Sequence, residues 1–283
     1  MAVVAHTVGD IKAMVRGRYG PFAAAGGVEG SCCAAQVPAD AGNAVDHGLY
    51  SDGQLATVPA TARRLSRGCG NPTAFADLVP GETVVDLGCG GGIDVTLAAR
   101  QVGPTGAVTG IDMTPEMIDR AREAAGEAGL GDQVTFLLAD MAATGLADAS
   151  IEVVISNCVI NLSPEKDVVY AEIFRILRPG GRVAISDITL SQPLAPGLSA
   201  RFQDSWAGCM GGAMPETDYL RIVSEAGFSD LVITTRHTLA RGELAAMSCC
   251  PGEKYAEPPA TADLAAVAGQ VESIKFTATK PVG

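Results

Sequence analysis

The chemistry open to this 283-residue chain rests on eight cysteines and a set of carboxylates placed at strand ends. The cysteines stand at positions 32, 33, 69, 89, 158, 209, 249 and 250, and none of them has the C-x-x-C spacing of a structural zinc site. Cys158 lies in VVISNCVINLSPEK, where buried-strand residues give way to a helix start. In an open α/β sheet, ligands bind beyond the carboxyl ends of the strands, so a side chain there faces whatever the protein works on. Against that stands the ordinary fate of a free cysteine as a small buried hydrophobe, and taken alone Cys158 reads that way. The carboxylates are Asp86, Asp112 and Asp140. Asp86 opens the loop Asp86-Leu87-Gly88-Cys89-Gly90-Gly91-Gly92, whose glycines let the backbone turn tightly and approach a ligand at a helix N-terminus.

These residues need a frame, and from about residue 83 strand and helix signals alternate as they do in a parallel sheet wound with crossover helices. ETVVDLG is the first strand and GGIDVTLAARQVG the helix after it; AVTGIDM is the second strand. Thr114 and Pro115 predict a helix start, followed by an apolar stripe of Met117, Ile118, Ala121, Ala125 and Ala128. QVTFLLAD and IEVVISN are the third and fourth strands. Ser163 and Pro164 open a helix with the stripe Val169, Ile173, Ile176 and Leu177, which Arg178-Pro179-Gly180-Gly181 stops before the fifth strand, RVAISDI. Helical segments near 198–208 and 215–226 lead to DLVITT, and VESIKFTATK is the last strand.

Two regions fall outside this rhythm. The first 75 or so residues begin with a short helix, GDIKAMVRGRY, and turn rich in Ala, Gly and Pro around Ser31-Cys32-Cys33 and Arg67-Gly68-Cys69-Gly70-Asn71-Pro72. The second is an insertion near 240–268 with Cys249-Cys250-Pro251-Gly252 and EPPATADL. Gly and Pro clusters without periodicity predict mobile or ligand-ordered segments in both.

Composition narrows the partners. Hydrophobic residues at 47% and charged residues at 18% exclude a disordered chain, and a net charge of -12 argues against nucleic acid or an anionic membrane surface. No stretch approaches the roughly 18 apolar residues of a membrane span, and the N-terminus has no signal-peptide core, so the expectation is a soluble cytoplasmic protein. In that compartment eight cysteines point to soft-ion binding or redox chemistry rather than to a permanent disulfide framework.

The glycine loop sharpens with Asp112, a carboxylate at the end of the next strand that can accept the hydroxyls of a ribose. A nicotinamide cofactor would prefer G-x-G-x-x-G, but position 93 is Ile. S-adenosylmethionine is a sulfonium cation with an amino-acid tail and no pyrophosphate, so an acidic strand end and a glycine turn suit it better. Asp140 would then sit near the adenine amine and Asn157 would border the sulfonium. Cys89, inside the turn, reads as a small filler. This part resembles the class I S-adenosylmethionine-dependent methyltransferases, which implies a doubly wound, Rossmann-like α/β sheet of seven strands whose last two form an antiparallel hairpin.

Dispersed thiolates suit a soft ion that takes three sulfurs and uses a lone pair, and trivalent arsenic is such an ion. YSDGQLATVP, GCGNPTAFADLVPGETVVDLG, AARQVGPTGAVTGIDMTPEMIDRARE, ISNCVINLSPEK, ILRPGGRVAISDI and WAGCMGGA resemble the arsenite methyltransferase family from about residue 50 to 228, with a weaker echo in RYGPFA and SCC. The resemblance implies methyl transfer to thiolate-bound arsenic. Cys158 and Cys209 would be the permanent arsenic-binding pair, Cys69 the third thiolate, and Cys32 or Cys33 a redox partner in a disulfide relay reset by thioredoxin or glutathione. Asp86, Gly88, Gly90, Asp112, Met113, Asp140 and Asn157 would line the methyl donor, with no catalytic metal cofactor.

Three parts are implied: a Cys-bearing N-terminal arm (1–75), the donor-binding core (76–190) and a C-terminal substrate-binding region (191–283). Two departures from the family pattern are Cys89, where serine is more usual, and Arg67, where an apolar or aromatic residue usually precedes Gly-Cys-Gly. Cys249 and Cys250 read equally as a surface thiol pair or as arsenic delivery. Two rival readings are a class I methyltransferase acting on a small organic acceptor and a thiol-rich protein that sequesters arsenic or metal.

Overall fold

The computed structural model describes residues 6–27, 49–203, 210–248 and 261–283. Its centre is a seven-stranded sheet in the order β3-β2-β1-β4-β5-β7-β6. The strands are β1 (Thr83–Leu87), β2 (Ala107–Asp112), β3 (Val134–Leu138), β4 (Ile151–Asn157), β5 (Leu177–Leu190), β6 (Ser229–Thr238) and β7 (Val271–Thr279). The first five are parallel, and β7 runs antiparallel between β5 and β6. The expected seven strands and terminal antiparallel pair are therefore present.

The central strands read as unbroken apolar runs because both faces of the sheet are covered. On one face lie α4 (Ile93–Val102) and α5 (Pro115–Glu127), whose Val95, Ala98, Ile118 and Ala121 pack on Val84, Val108 and Val153. On the other lie α6 (Lys166–Ile176) and α8 (Glu216–Glu225), whose Val169, Ile173, Tyr219 and Val223 pack on Val85, Val154 and Ile185. The strand order reverses between β1 and β4, and that reversal opens a crevice at their carboxyl ends.

The remaining helices are α1 (Val8–Ala24), α2 (Asp52–Ala56), α3 (Ala60–Leu65), α7 (Pro196–Gln203), α9 (Arg241–Ser248) and α10 (Thr261–Val267). For the described parts of the Gly- and Pro-rich regions they correct the expectation of unpacked segments; residues 28–48 and 249–260, which the same expectation covers, lie outside the described residues. α1 is longer than the helix expected there, fixed at its start by a capping box of Thr7 and Asp10. In the 240–268 region Leu244, Leu264 and Val267 are buried in a cluster that also holds Cys69, Cys158, Ile188 and Met210.

Smaller differences follow from backbone demands. Thr114 is the N-cap of α5 but makes no side-chain cap; its N–H instead donates to Asp112 Oδ1 at 2.8 Å. α6 begins at Lys166 rather than at Pro164. Pairing slips between Ile151↔Leu177 and Val153↔Arg182, so Arg178-Pro179-Gly180-Gly181 loops out within β5 instead of preceding it. No helix among the described residues is long and apolar enough to cross a membrane.

Candidate functional site

The crevice between the ends of β1 and β4 is lined by Asp86, Gly88, Gly90, Asp112, Met113, Asp140 and Asn157, so every expected donor-lining residue borders one cleft. Gly88, Gly90 and Gly92 adopt left-handed φ of 69°, 50° and 86°, which swings the chain from β1 into α4 within one tight loop. Asp112 braces that loop, accepting from the backbone N–H of Gly90 at 3.0 Å and of Thr114 at 2.8 Å. The Thr114 hydroxyl and the Met113 N–H also face this carboxylate, so the end of β2 is held by its own following turn.

Electrostatically, the wall formed by β1, β2 and the start of α4 is acidic and dry. Burial, reinforced by Asp94 and Asp112, holds the Asp86 carboxyl well above the usual carboxylate range. Burial likewise raises Asp112. A ligand bearing positive charge would relieve this clustering, whereas a pyrophosphate would worsen it. The donor set therefore fits a sulfonium or ammonium group.

Asp94 and Tyr50 were not among the expected residues. Asp94, in the first turn of α4, accepts from Tyr50 Oη at 3.0 Å and from Asn157 Nδ2 at 3.0 Å. The sequence offered one signal for it, an acid directly after a glycine loop where the helix N-terminus favours negative charge. Tyr50 carries no such local mark. Lys12, from α1, was also missed: it pairs with Asp140 at 2.8 Å and with Glu165 at 3.1 Å, so α1 reaches across one end of the cleft. Arg67 lies with its guanidinium 4.1 Å from the centre of the Phe22 ring, tying the residue before Gly68 to the end of α1.

Of the expected thiols, Cys69 and Cys158 are buried in the same cluster. Cys158 has φ of 63°, a conformation uncommon outside glycine, and its N–H donates to the Ser186 carbonyl at 2.7 Å. Cys69 Sγ lies 3.6 Å from Ser186 Oγ. Met210, the neighbour in sequence of Cys209, packs among them. Cys89 is buried in a separate cluster under the glycine loop, where burial, then Asp112 and Asp86, push its thiol up and keep it protonated. Cys32, Cys33, Cys209, Cys249 and Cys250 lie outside the described residues.

Comparison with known proteins places this architecture. A family model described as a methyltransferase domain matches residues 78–227. An arsenite methyltransferase of Halobacterium salinarum is 41% identical over 238 residues, covering 80% of this chain and 59% of that protein. Another from Aquipseudomonas alcaligenes is 38% identical over 172 residues, covering 58% and 48% respectively. The chain thus spans about half the length of these curated relatives. The crystal structure of CrArsM, an arsenic(III) S-adenosylmethionine methyltransferase from Chlamydomonas reinhardtii, superposes with a TM-score of 0.65 at 30% identity, covering 81% of this chain and 72% of that one. With a seven-stranded sheet, an acid-walled cleft at its reversal point and sequence likeness over most of its length, this chain belongs to the arsenite methyltransferase family.

Proposed function

We propose that this chain methylates trivalent arsenic with S-adenosylmethionine as donor. The observation that carries the reading is the convergence of two kinds of chemistry at one strand edge: an acidic wall suited to a cation, and Cys158 with Cys69 in one buried cluster beside it. When bound, S-adenosylmethionine supplies an electrophilic methyl group on a sulfonium centre.

The protein's own contribution starts with the thiols. Each bond from cysteine sulfur to arsenite releases a water made from the thiol proton and an arsenic hydroxyl, so loading needs no separate base. Sulfur ligation donates electron density to arsenic and leaves its lone pair as the nucleophile. Cys158, Cys69 and Cys209 are the proposed ligands. Asp86, Asp112, Met113, Asp140 and the loop of Gly88 and Gly90 would hold the donor. Positioning the two reactants in a water-poor cleft contributes up to roughly 7 to 11 kcal/mol in well-oriented cases.

Methyl transfer formally oxidises arsenic by two electrons. Attack of the Cys32 or Cys33 thiol on the arsenic-bound sulfur of Cys69 would form a disulfide, break the Cys69–arsenic bond with its electron pair left on arsenic, release one proton and return arsenic to the trivalent state, and thioredoxin or glutathione would reduce that disulfide. The arm 1–75, the core 76–190 and the C-terminal region 191–283 would carry relay, donor and substrate roles respectively.

The test incubates purified protein with arsenite, a thiol reductant and methyl-labelled S-adenosylmethionine and separates the arsenicals. Labelled methylarsenicals are expected; their absence while the donor binds would sink the reading.

A further inference from the structure

Asn157, the last residue of β4, makes more polar contacts than a residue merely bordering a ligand needs. Its Oδ1 accepts from the backbone N–H of Cys69 at 3.0 Å and of Gly70 at 3.1 Å. Its Nδ2 donates to the Gly70 carbonyl at 2.7 Å, to Asp94 Oδ2 at 3.0 Å and to Tyr50 Oη at 3.0 Å. The orientation of the amide is fixed by these partners, because two N–H groups face its oxygen while a carbonyl and a carboxylate face its nitrogen. An amide has two donors and two acceptor sites, so its whole capacity is used on protein groups.

The loop it grips is shaped for that contact. A Cβ on Gly68 would lie 2.3 Å from Asn157 Nδ2, and one on Gly70 would lie 2.0 Å from Ser186 Oγ. Only glycines allow the backbone this close, so in Gly68-Cys69-Gly70 the single side chain is the thiol. The Cys69 carbonyl is held as well, accepting from Ser273 Oγ of β7 at 3.0 Å. Ser186 pairs with Asn157 in the sheet and also receives the Cys158 N–H on its carbonyl. Cys69 is thereby pinned at both backbone groups over the ends of the two strands that set Cys158.

We infer that Asn157 is a positioning residue for Cys69, holding the third thiolate beside Cys158, and not a ligand of the methyl donor. The functional meaning rests on the arsenic-ligand reading of Cys69; the positioning does not.

The experiment measures alkylation by iodoacetamide at each cysteine of the full chain by mass spectrometry, together with S-adenosylmethionine affinity by calorimetry. In Asn157→Ala, Cys69 should alkylate at least about tenfold faster while Cys89 changes less than about twofold and donor affinity stays within about threefold, the pattern of a local opening. Gly68→Ala, which leaves Asn157 in place but wedges the loop off it, should expose Cys69 in the same selective way. With arsenite as substrate, Asn157→Ala should raise KM for arsenite and leave that for the donor unchanged.

An unchanged Cys69 rate in both variants, or a tenfold loss of donor affinity without Cys69 exposure, would overturn the inference. So would equal exposure of Cys69 and Cys89, which marks a general loss of structure. Selective exposure of Cys69 in a chain that fails to methylate arsenite would leave the positioning intact and remove only the proposed activity.

Discussion

The left-handed backbone at Cys158 makes a quantitative prediction about stability. For an L-residue this conformation costs about 1 to 2 kcal/mol, and glycine escapes that cost. Replacing Cys158 with alanine retains the strain, and replacing it with glycine releases it, so comparing the two substitutions isolates the strain if other differences are matched. Cys89 provides the match: it is 5% exposed against 4% for Cys158, and its φ is not positive. At Cys89, glycine should be less stable than alanine by about 0.5 to 1 kcal/mol for chain freedom plus about 0.8 kcal/mol for the lost buried carbon. At Cys158 the same penalty is offset by the released strain, leaving the glycine and alanine variants nearly equal. Urea unfolding of the four variants should give a glycine-minus-alanine gap at position 158 that is more favourable to glycine by about 1 to 2 kcal/mol. Gaps that agree within about 0.5 kcal/mol would refute the claim that the thiol is held in a strained backbone.

Three further outcomes follow from the polar interior. Asp187 is fully buried, and burial outweighs the Tyr219 and Ile188 hydrogen bonds to raise its pKa from 3.8 to about 6. The folded state therefore binds more protons than the unfolded one between those values, so its contribution is present below about pH 4 and lost as pH rises through 6. Urea unfolding from pH 4 to 7 should show Asp187→Asn gaining on the parent by up to about 3 kcal/mol, and a constant difference would contradict it. Lys166 Nζ donates to the carbonyls of Asn161, Ser163 and Gly212 at 3.2, 3.0 and 2.9 Å, so Lys166→Met should cost about 3 kcal/mol or more through unsatisfied carbonyls; a loss below about 1 kcal/mol in urea unfolding would show that they find other donors. Lys12 competes for Asp140, so Lys12→Met should tighten S-adenosylmethionine binding up to about fivefold by calorimetry, the scale of a partly exposed ion pair; weaker binding would make Lys12 part of the donor site.

Much of the frame could be read from the chain because strand positions and strand ends are local statements. β1, β2 and β4 are short apolar runs ending in Asp86-Leu87, Asp112 and Asn157, and parallel strands of one sheet bring such ends to one edge without further information. The same logic brought Gly88 and Gly90 to the cleft. Contacts between distant segments had no local mark: nothing near Tyr50 or Lys12 announces Asp94 or Asp140 as a partner. α9 and α10 were hidden by composition. Alanine, glycine and proline dominate that stretch, and the buried positions Leu264 and Val267 make only one helical spacing. Asn157 was recognised as belonging to the site, but its commitment to the loop of Cys69 depends on hydrogen bonds between segments 88 residues apart.

Several departures from local rules lie at this edge of the sheet. Cys158 occupies a glycine-like conformation, Asp86, Asp94 and Asp112 share a dry wall, and Gly68, Gly70 and Gly212 sit where a Cβ would lie 1.8 to 2.3 Å from another atom. Each raises the free energy of the folded chain, and the apolar clusters on both faces of the sheet must offset them. Gly212 shows the connection most directly: its Cβ position falls 1.8 Å from the Asn161 carbonyl that Lys166 also binds, so the segment after Cys209 and the loop after Cys158 are locked together by contacts that tolerate no added atom. The proposed thiol site, assembled from segments distant in sequence, would need such locks, because no single element would carry more than one of its ligands.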